Sequence, residues 1–270
     1  KEGKKGIQFL LVLREGDYTT PKDRNLLREV IVEERLSLLM GALVKEAILP
    51  VSRVAREQRT PILVFPTEFL DAASTGEEPA NLFWISPAPE AFQRAAVRMV
   101  AQFPQKRFFL LTRDSAMGRN LGKYFWEELR RLKPDAQGVG EIYLPETVKD
   151  YSSYLQSILS VNAEVCLSHL GPREWIHFAR SANKQGYFKK IIHFELESGN
   201  LYSLTALKQE APEGVWGVSA FPFWGLGWKE THEFVNKYRK KYNSYPGLDA
   251  LSGYISIYAI LEAVKNAGST

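Results

Sequence analysis

A single cysteine, Cys166, stands in a chain of 270 residues. No disulfide can therefore close within it, and zinc or iron–sulfur sites built on several thiolates are excluded. No apolar run approaches the ~18 residues that a bilayer-spanning helix requires. The opening KEGKKG has no apolar stretch of the signal-peptide kind, so the chain as it stands reads as soluble, with any leader absent or already removed. Charge of one sign is also missing: 35 basic residues face 31 acidic ones, a net charge of +4, and the two signs are interspersed. The one basic cluster, KYRKK at 237–241, reads as the solvated face of a helix. Neither nucleic-acid binding nor stable membrane insertion is expected.

Enzyme signatures are equally scarce. There is no Walker A loop, no GxGxxG after a strand, no GxSxG elbow and no HExxH. GLG at 225–227 lacks the third glycine and the helix start of a dinucleotide site. His169, His177, His193 and His232 are scattered, and no serine or cysteine is visibly paired with any of them. No catalytic residue, cofactor or metal is expected.

What the chain does have is material for a core: 45% hydrophobic and 12% aromatic residues, at a length that buries roughly 70–75% of the unfolded surface. Short apolar or β-branched runs, expected as strands at 7–13, 36–40, 62–65, 107–112, 140–143, 164–168, 190–194 and 214–220, alternate with amphipathic patterns. The latter predict helices at 22–34, 45–58, 89–102, 118–132, 150–161, 172–185 and 200–208, and two more at 229–242 and 248–266. Continuously apolar strands separated by helices imply α/β architecture with parallel sheets covered on both faces. Two sheets fit better than one very wide sheet, and QFPQKR at 102–107 is the natural seam.

Three polar or aromatic stretches invite a site. In HFELE, 193–197, a strand's period of two sets His193, Glu195 and Glu197 on one side; metal ligation, simple solvation of the acids and contact with an organic ligand all fit. The aromatics of VWGVSAFPFWGLGW, with Phe221, Phe223, Trp224 and Trp228 in a loop, suit a cleft wall or a core. In RDSAMGRNLG, the amides near Met117 and Gly118 could hold an anion, whereas Asp114 or Ser115 as a helix cap is the simpler reading.

The block LLMGALVKEAILPVSRVAREQRTPILVFP resembles the strand–Gly–helix–strand–Pro unit of type I periplasmic binding proteins, in the branched-chain amino-acid branch of solute receptors for ABC transporters. RFFLLTRDSAMGRNLGKYFWEELRRL is similar to their next block, and VKDYSSYLQSIL to the following D-[FY]-S unit. EGVWGVSAF through LDALSGYISIYAILEAVKNAGS resembles the return through the hinge. The order of blocks covers nearly the whole chain. The resemblance implies two doubly wound parallel-sheet lobes, 1–104 plus 222–270 and 105–221, joined by a hinge and closing on a small-molecule ligand at the carboxyl ends of the strands. It also implies a periplasmic (or extracellular, lipid-anchored) protein that delivers its ligand to an ABC transporter permease; a sensory or receptor domain of the same fold is the alternative. The family has a further βα unit before 7–13 and further strands after 248–266, which this sequence does not contain.

Carried over position by position, the resemblance puts ligand contacts at Leu43, Val44 and Lys45 after one strand and at Thr67, Glu68 and Phe69 after the next. In the second lobe it puts them at Met117, Gly171 and Glu197, and Leu170 and the cleft aromatic Trp224 are expected beside them. The serine and threonine hydroxyls that hold an amino acid's carboxylate are replaced here by Lys45 and Phe69, and two aromatic positions by Met117 and Gly171. Glu197, or Glu195 if the register slips, keeps the acid that holds an ammonium group. Lys45 could supply a charge-assisted bond in place of the hydroxyls, or be a solvated lysine of a first helical turn. A less polar pocket is implied, suited to an aromatic or aliphatic carboxylate or an amide-like compound and not to an ordinary branched-chain amino acid.

Overall fold

The computed structural model describes residues 10–66, 79–85, 89–145 and 147–267. Of these, 10–66, 79–85 and 258–267 form one compact unit, and 89–145 with 147–257 form another.

In the first unit, Thr20 starts helix α1 (Pro21–Glu33): its backbone is extended, its hydroxyl accepts the amide of Asp23, and proline occupies the first helical position, where no amide partner is needed. Strands β1 (Leu39–Leu43), β2 (Ile62–Pro66) and β3 (Leu82–Trp84) form a parallel sheet in that order. Helix α2 (Lys45–Glu57) connects the first two and buries Ile48, Val51 and Val54. An ion pair between Arg28 and Glu57, at 2.8 Å, ties α1 to α2.

Two expectations are corrected here. Strand β1 starts at 39 and not 36, because the end of α1 consumes the intervening residues: Arg35 turns with φ 51° and the amide of Leu36 returns to the carbonyl of Ile31. The strand expected at 7–13 is absent over its described part, 10–13, where Leu10, Leu11 and Leu13 are exposed. An apolar run becomes a strand only when a neighbouring edge pairs with it, and none does so there; residues 7–9 lie outside the described ones. β3, only three residues long, was not foreseen.

The second unit holds β4 (Arg107–Arg113), β5 (Gln137–Leu144), β6 (Val165–His169) and β7 (Ile192–Glu195), all parallel in the order β5-β4-β6-β7. The alternation along β4 sorts two cores. Phe108 and Leu110, with Val165, Leu167 and Phe194, pack on α3 (Pro89–Val100) and α4 (Ala116–Leu132) through Val97, Val100, Phe125 and Leu129. Phe109 and Leu111, with Cys166, pack on α5 (Ser152–Ser160) and α6 (Pro172–Lys184) through Leu155, Ile158, Trp175 and Phe178. This is the doubly wound parallel sheet that uninterrupted apolar strands foretold.

Beyond β7 lies α7 (Leu201–Leu207). The strand expected at 214–220 reduces to one parallel bridge between Phe194 and Trp216, with two bonds: Trp216 N–H to the carbonyl of His193 and Glu195 N–H to the carbonyl of Trp216, both 2.9 Å. Gly214 at φ 77° bends the segment before the bridge, and Gly217 is pressed against Ser198 and the Glu195 carbonyl just after it, so the ladder does not extend. Helices α8 (Lys229–Tyr242) and α9 (Leu248–Ala267) follow, with Phe221, Phe234 and Val235 making a small aromatic core between them. Among the described residues no helix is long and apolar enough to cross a membrane. In the second unit α3 packs with α4, and residues 221–257 cluster with that unit.

Candidate functional site

The chain leaves β4 toward β5 on one side and returns to β6 on the other, so the strand order reverses between β4 and β6. In open parallel sheets, ligands bind outside the carboxyl ends of the strands at such a reversal. Here the two strand ends are tied by the Thr112 hydroxyl, which donates to the carbonyl of His169 at 3.2 Å. Ser115 caps α4 by accepting the amide of Gly118 at 3.1 Å, as the simpler reading of RDSAMG expected, and Asp114 pairs with Arg119 at 2.8 Å. Helix α4 starts so close to the strand that a methyl group on Gly118 would overlap the Arg113 carbonyl oxygen. Gly171, at φ 84°, begins α6 with a backbone that L-residues avoid, and the Arg113 guanidinium lies beside it.

Behind these ends runs a buried polar chain. His193 is fully buried, its ring stacked on Trp175 and Phe178 with centroids 5.7 and 5.2 Å away. Burial pushes the imidazole down to about 3, so it is neutral. Its Nε2 lies 2.8 Å from the Ser168 hydroxyl and its Nδ1 3.2 Å from that of Tyr187. Ser168 in turn donates to Oε2 of Glu195. The donor count then fixes the tautomer: Ser168 accepts from Nε2–H, and Nδ1 accepts from Tyr187. Glu195 Oε1 takes the amides of Leu170 and Glu197 at 3.2 and 3.1 Å. Burial pushes this carboxyl up to about 7, against the opposing pull of His169 and these hydrogen bonds. Neither acid of HFELE is solvated: Glu195 is wholly inaccessible, and Glu197, past the end of β7, is 3% exposed. Glu197 accepts from Asn200 Nδ2 at 3.1 Å and lies 3.8 Å from Nε2 of His169.

A serine beside a histidine and a glutamate suggests a hydrolase triad, but the order is wrong. The acid holds the serine and not the histidine, and all three groups are sealed from solvent. Among the described residues no three His, Cys, Asp or Glu side chains converge as a metal ion would require.

The residues expected at the site fall in different places. Leu170, Gly171 and Glu197 are brought together at the ends of β6 and β7, Leu170 through its amide, since its side chain is buried in the core. Met117 stands in the first turn of α4, across the reversal point. Trp224 is 55% exposed and packs edge-on against Phe223 at 5.0 Å; with Trp175, Ser198, Leu204 and Val218 it borders a largely apolar groove of about 450 Å³. In the first unit, Leu43 ends β1 opposite Pro66, Val44 is the extended residue before α2, and Lys45 opens that helix. Thr67, Glu68, Phe69 and the side chain of Lys45 lie outside the described residues. Ser168 and His169 were missed; their signal was two adjacent polar residues in the otherwise apolar VCLSHL.

The periplasmic binding protein family model matches residues 1–270. No curated protein sequence matches the chain. Solved structures share its fold, three of them as follows. One is a solute-binding protein of an ABC transporter from Rhodopseudomonas palustris BisB5 in complex with 3,4-dihydroxybenzoic acid (20% identity, TM-score 0.70, 95% of this chain and 69% of that one). Another is an amino acid ABC transporter substrate-binding protein from Pseudomonas fluorescens Pf-5 (17%, 0.74, 92% and 66%). The third is the branched-chain amino acid transporter substrate-binding protein LivJ from Streptococcus pneumoniae in complex with isoleucine (16%, 0.73, 94% and 71%). The chain thus spans about two thirds of the length of these neighbours. With a match along its whole length, the chain belongs to the periplasmic binding protein family.

Proposed function

We propose that this chain is the ligand-capturing part of an extracytoplasmic solute-binding protein of an ABC transporter, non-enzymatic, working in the periplasm or on the outer cell surface and delivering to a permease. The ligand is a small organic molecule, an amino acid or a related carboxylate or amide. The observation that carries the reading is the family match over residues 1–270. The fold likeness to proteins holding 3,4-dihydroxybenzoic acid and isoleucine supports a carboxylate-bearing ligand, and the sealed Ser168–His193–Glu195 chain supports a binding role over a hydrolytic one. The mechanism is closure of two lobes, 1–104 plus 222–270 and 105–221, about a hinge, driven by contacts that the ligand makes only in the closed state. On the second lobe those contacts are Met117, Leu170, Gly171 and Glu197, joined by the loop aromatic Trp224. On the first lobe they are Leu43, Val44, Lys45, Thr67, Glu68 and Phe69.

Thermal-shift screening of amino acids, benzoates and their amides, followed by calorimetry, tests this. At a ligand concentration 100 times Kd, binding to the folded state adds about 2.7 kcal/mol of stability, so a true ligand raises the melting temperature by several degrees. Benzoates or amides should stabilise more than leucine or valine. Stabilisation by leucine and valine alone overturns the altered specificity, and no response across all classes overturns solute binding of this kind.

A further inference from the structure

We infer that Glu195 is a positioning residue for ligand capture, fixing the two turns that follow β6 and β7 through one carboxylate oxygen. The inference rests on the proposed reading of those turns as ligand contacts. Oε1 of Glu195 accepts the amide of Leu170, 25 residues away in sequence, and that of Glu197, while Oε2 is held by Ser168. One atom therefore bridges the residue preceding Gly171 and the acid offered to the ligand. A single change at that oxygen releases both turns together.

The bond is charge-assisted only while the carboxyl is ionised. Burial places its titration near neutrality, at about 7. The titratable groups around it are Cys166 and His169 from β6, His193 on its own strand, Tyr187 before that strand and Glu197 after it. His193 is held neutral, burial raises Cys166 and Tyr187 well beyond neutrality, and the bridging segment at 216 contributes backbone only. Glu195 is the group bonded directly to both amides, so its change of charge reaches both together. Lowering the pH loosens the turns and weakens ligand binding.

Amide resonances of Leu170 and Glu197 in the ligand-free protein, followed from about pH 5.5 to 8.5, test the staple directly. Both should titrate with one shared midpoint, and Glu195→Gln should abolish the movement. Amides that do not titrate together, or a titration that survives in Glu195→Gln, overturn the inference. If Glu195→Gln does not fold, the wild-type titration decides, and Ser168→Ala should shift the shared midpoint without splitting it.

Calorimetry with isoleucine and benzoate as probes should show wild-type affinity falling about tenfold toward low pH, and Glu195→Gln fixed at the weaker value. A wild-type affinity independent of pH overturns the coupling to capture. If the wild type binds neither probe, the solute reading fails for these classes, while the amide titration still decides the positioning role.

Discussion

The hydroxyl of Ser168 lies 2.8 Å from Nε2 of His193, and it spends its own proton on Glu195. The pair joins a strand-end acid to an aromatic-walled imidazole, both fully buried, and the two titrate away from their ordinary ranges in opposite senses.

Stability should therefore have a plateau in pH. The folded chain keeps His193 neutral down to about 3, whereas an unfolded histidine holds its proton up to 6.5. Between those values the unfolded chain binds more protons, so acid destabilises. Glu195 behaves in reverse: folded, it keeps its proton up to about 7, against 4.5 unfolded, so its contribution is complete at low pH and is lost as pH rises to neutrality. The two slopes offset each other from 4.5 to 6.5. Urea denaturation across pH should give maximal stability there, with a decline of about 2 kcal/mol below it from His193 and a smaller one, under about 1 kcal/mol, above it from Glu195. In Glu195→Gln the upper decline should vanish and the acid decline should begin near 6.5.

Gly118→Ala should destabilise the second unit by roughly 2–4 kcal/mol, since the new methyl meets the Arg113 carbonyl and the Thr112 hydroxyl at the start of α4. Gly186→Ala, at φ 62° with open space around it, should cost about 1 kcal/mol by strain alone. Chemical denaturation of both variants checks the ranking, and equal losses would count against the close approach of helix and strand.

Glu197→Gln should separate ligand classes. A ligand bearing an ammonium group loses a charge partner and binds weaker by about 2–4 kcal/mol, while a plain carboxylate such as benzoate is nearly unaffected. Calorimetry with isoleucine and benzoate reads the difference. Equal losses for both would mean that Glu197 supports the turn through Asn200 and His169 and does not face the ligand.

Much of this molecule was legible from its sequence because its strands are buried on both faces. The run 107–112 of β4 and the seven helices from 22–34 to 200–208 fall where period and caps placed them, to within a few residues. Legibility failed where pairing, not composition, decides. The leucines at 10–13 are as apolar as those of β4 but have no neighbouring edge, and 214–220 has the residues of a strand yet pairs at one point. At the site, Glu195 was visible as an acid in a strand. Its partner Ser168 was not, because the register Ser168↔Glu195 joins residues that no local pattern relates.

The alternation along β4 has one more outcome. Phe108 and Phe109 are adjacent in the chain but face different interiors, so the sheet acts as a partition between two independently filled compartments. Repacking the compartment under α3 and α4 leaves the wall behind His193 untouched, and simultaneous changes on opposite sides should add with little cross-talk. Such a layout lets one compartment vary freely while the other keeps the turns after β6 and β7 in place.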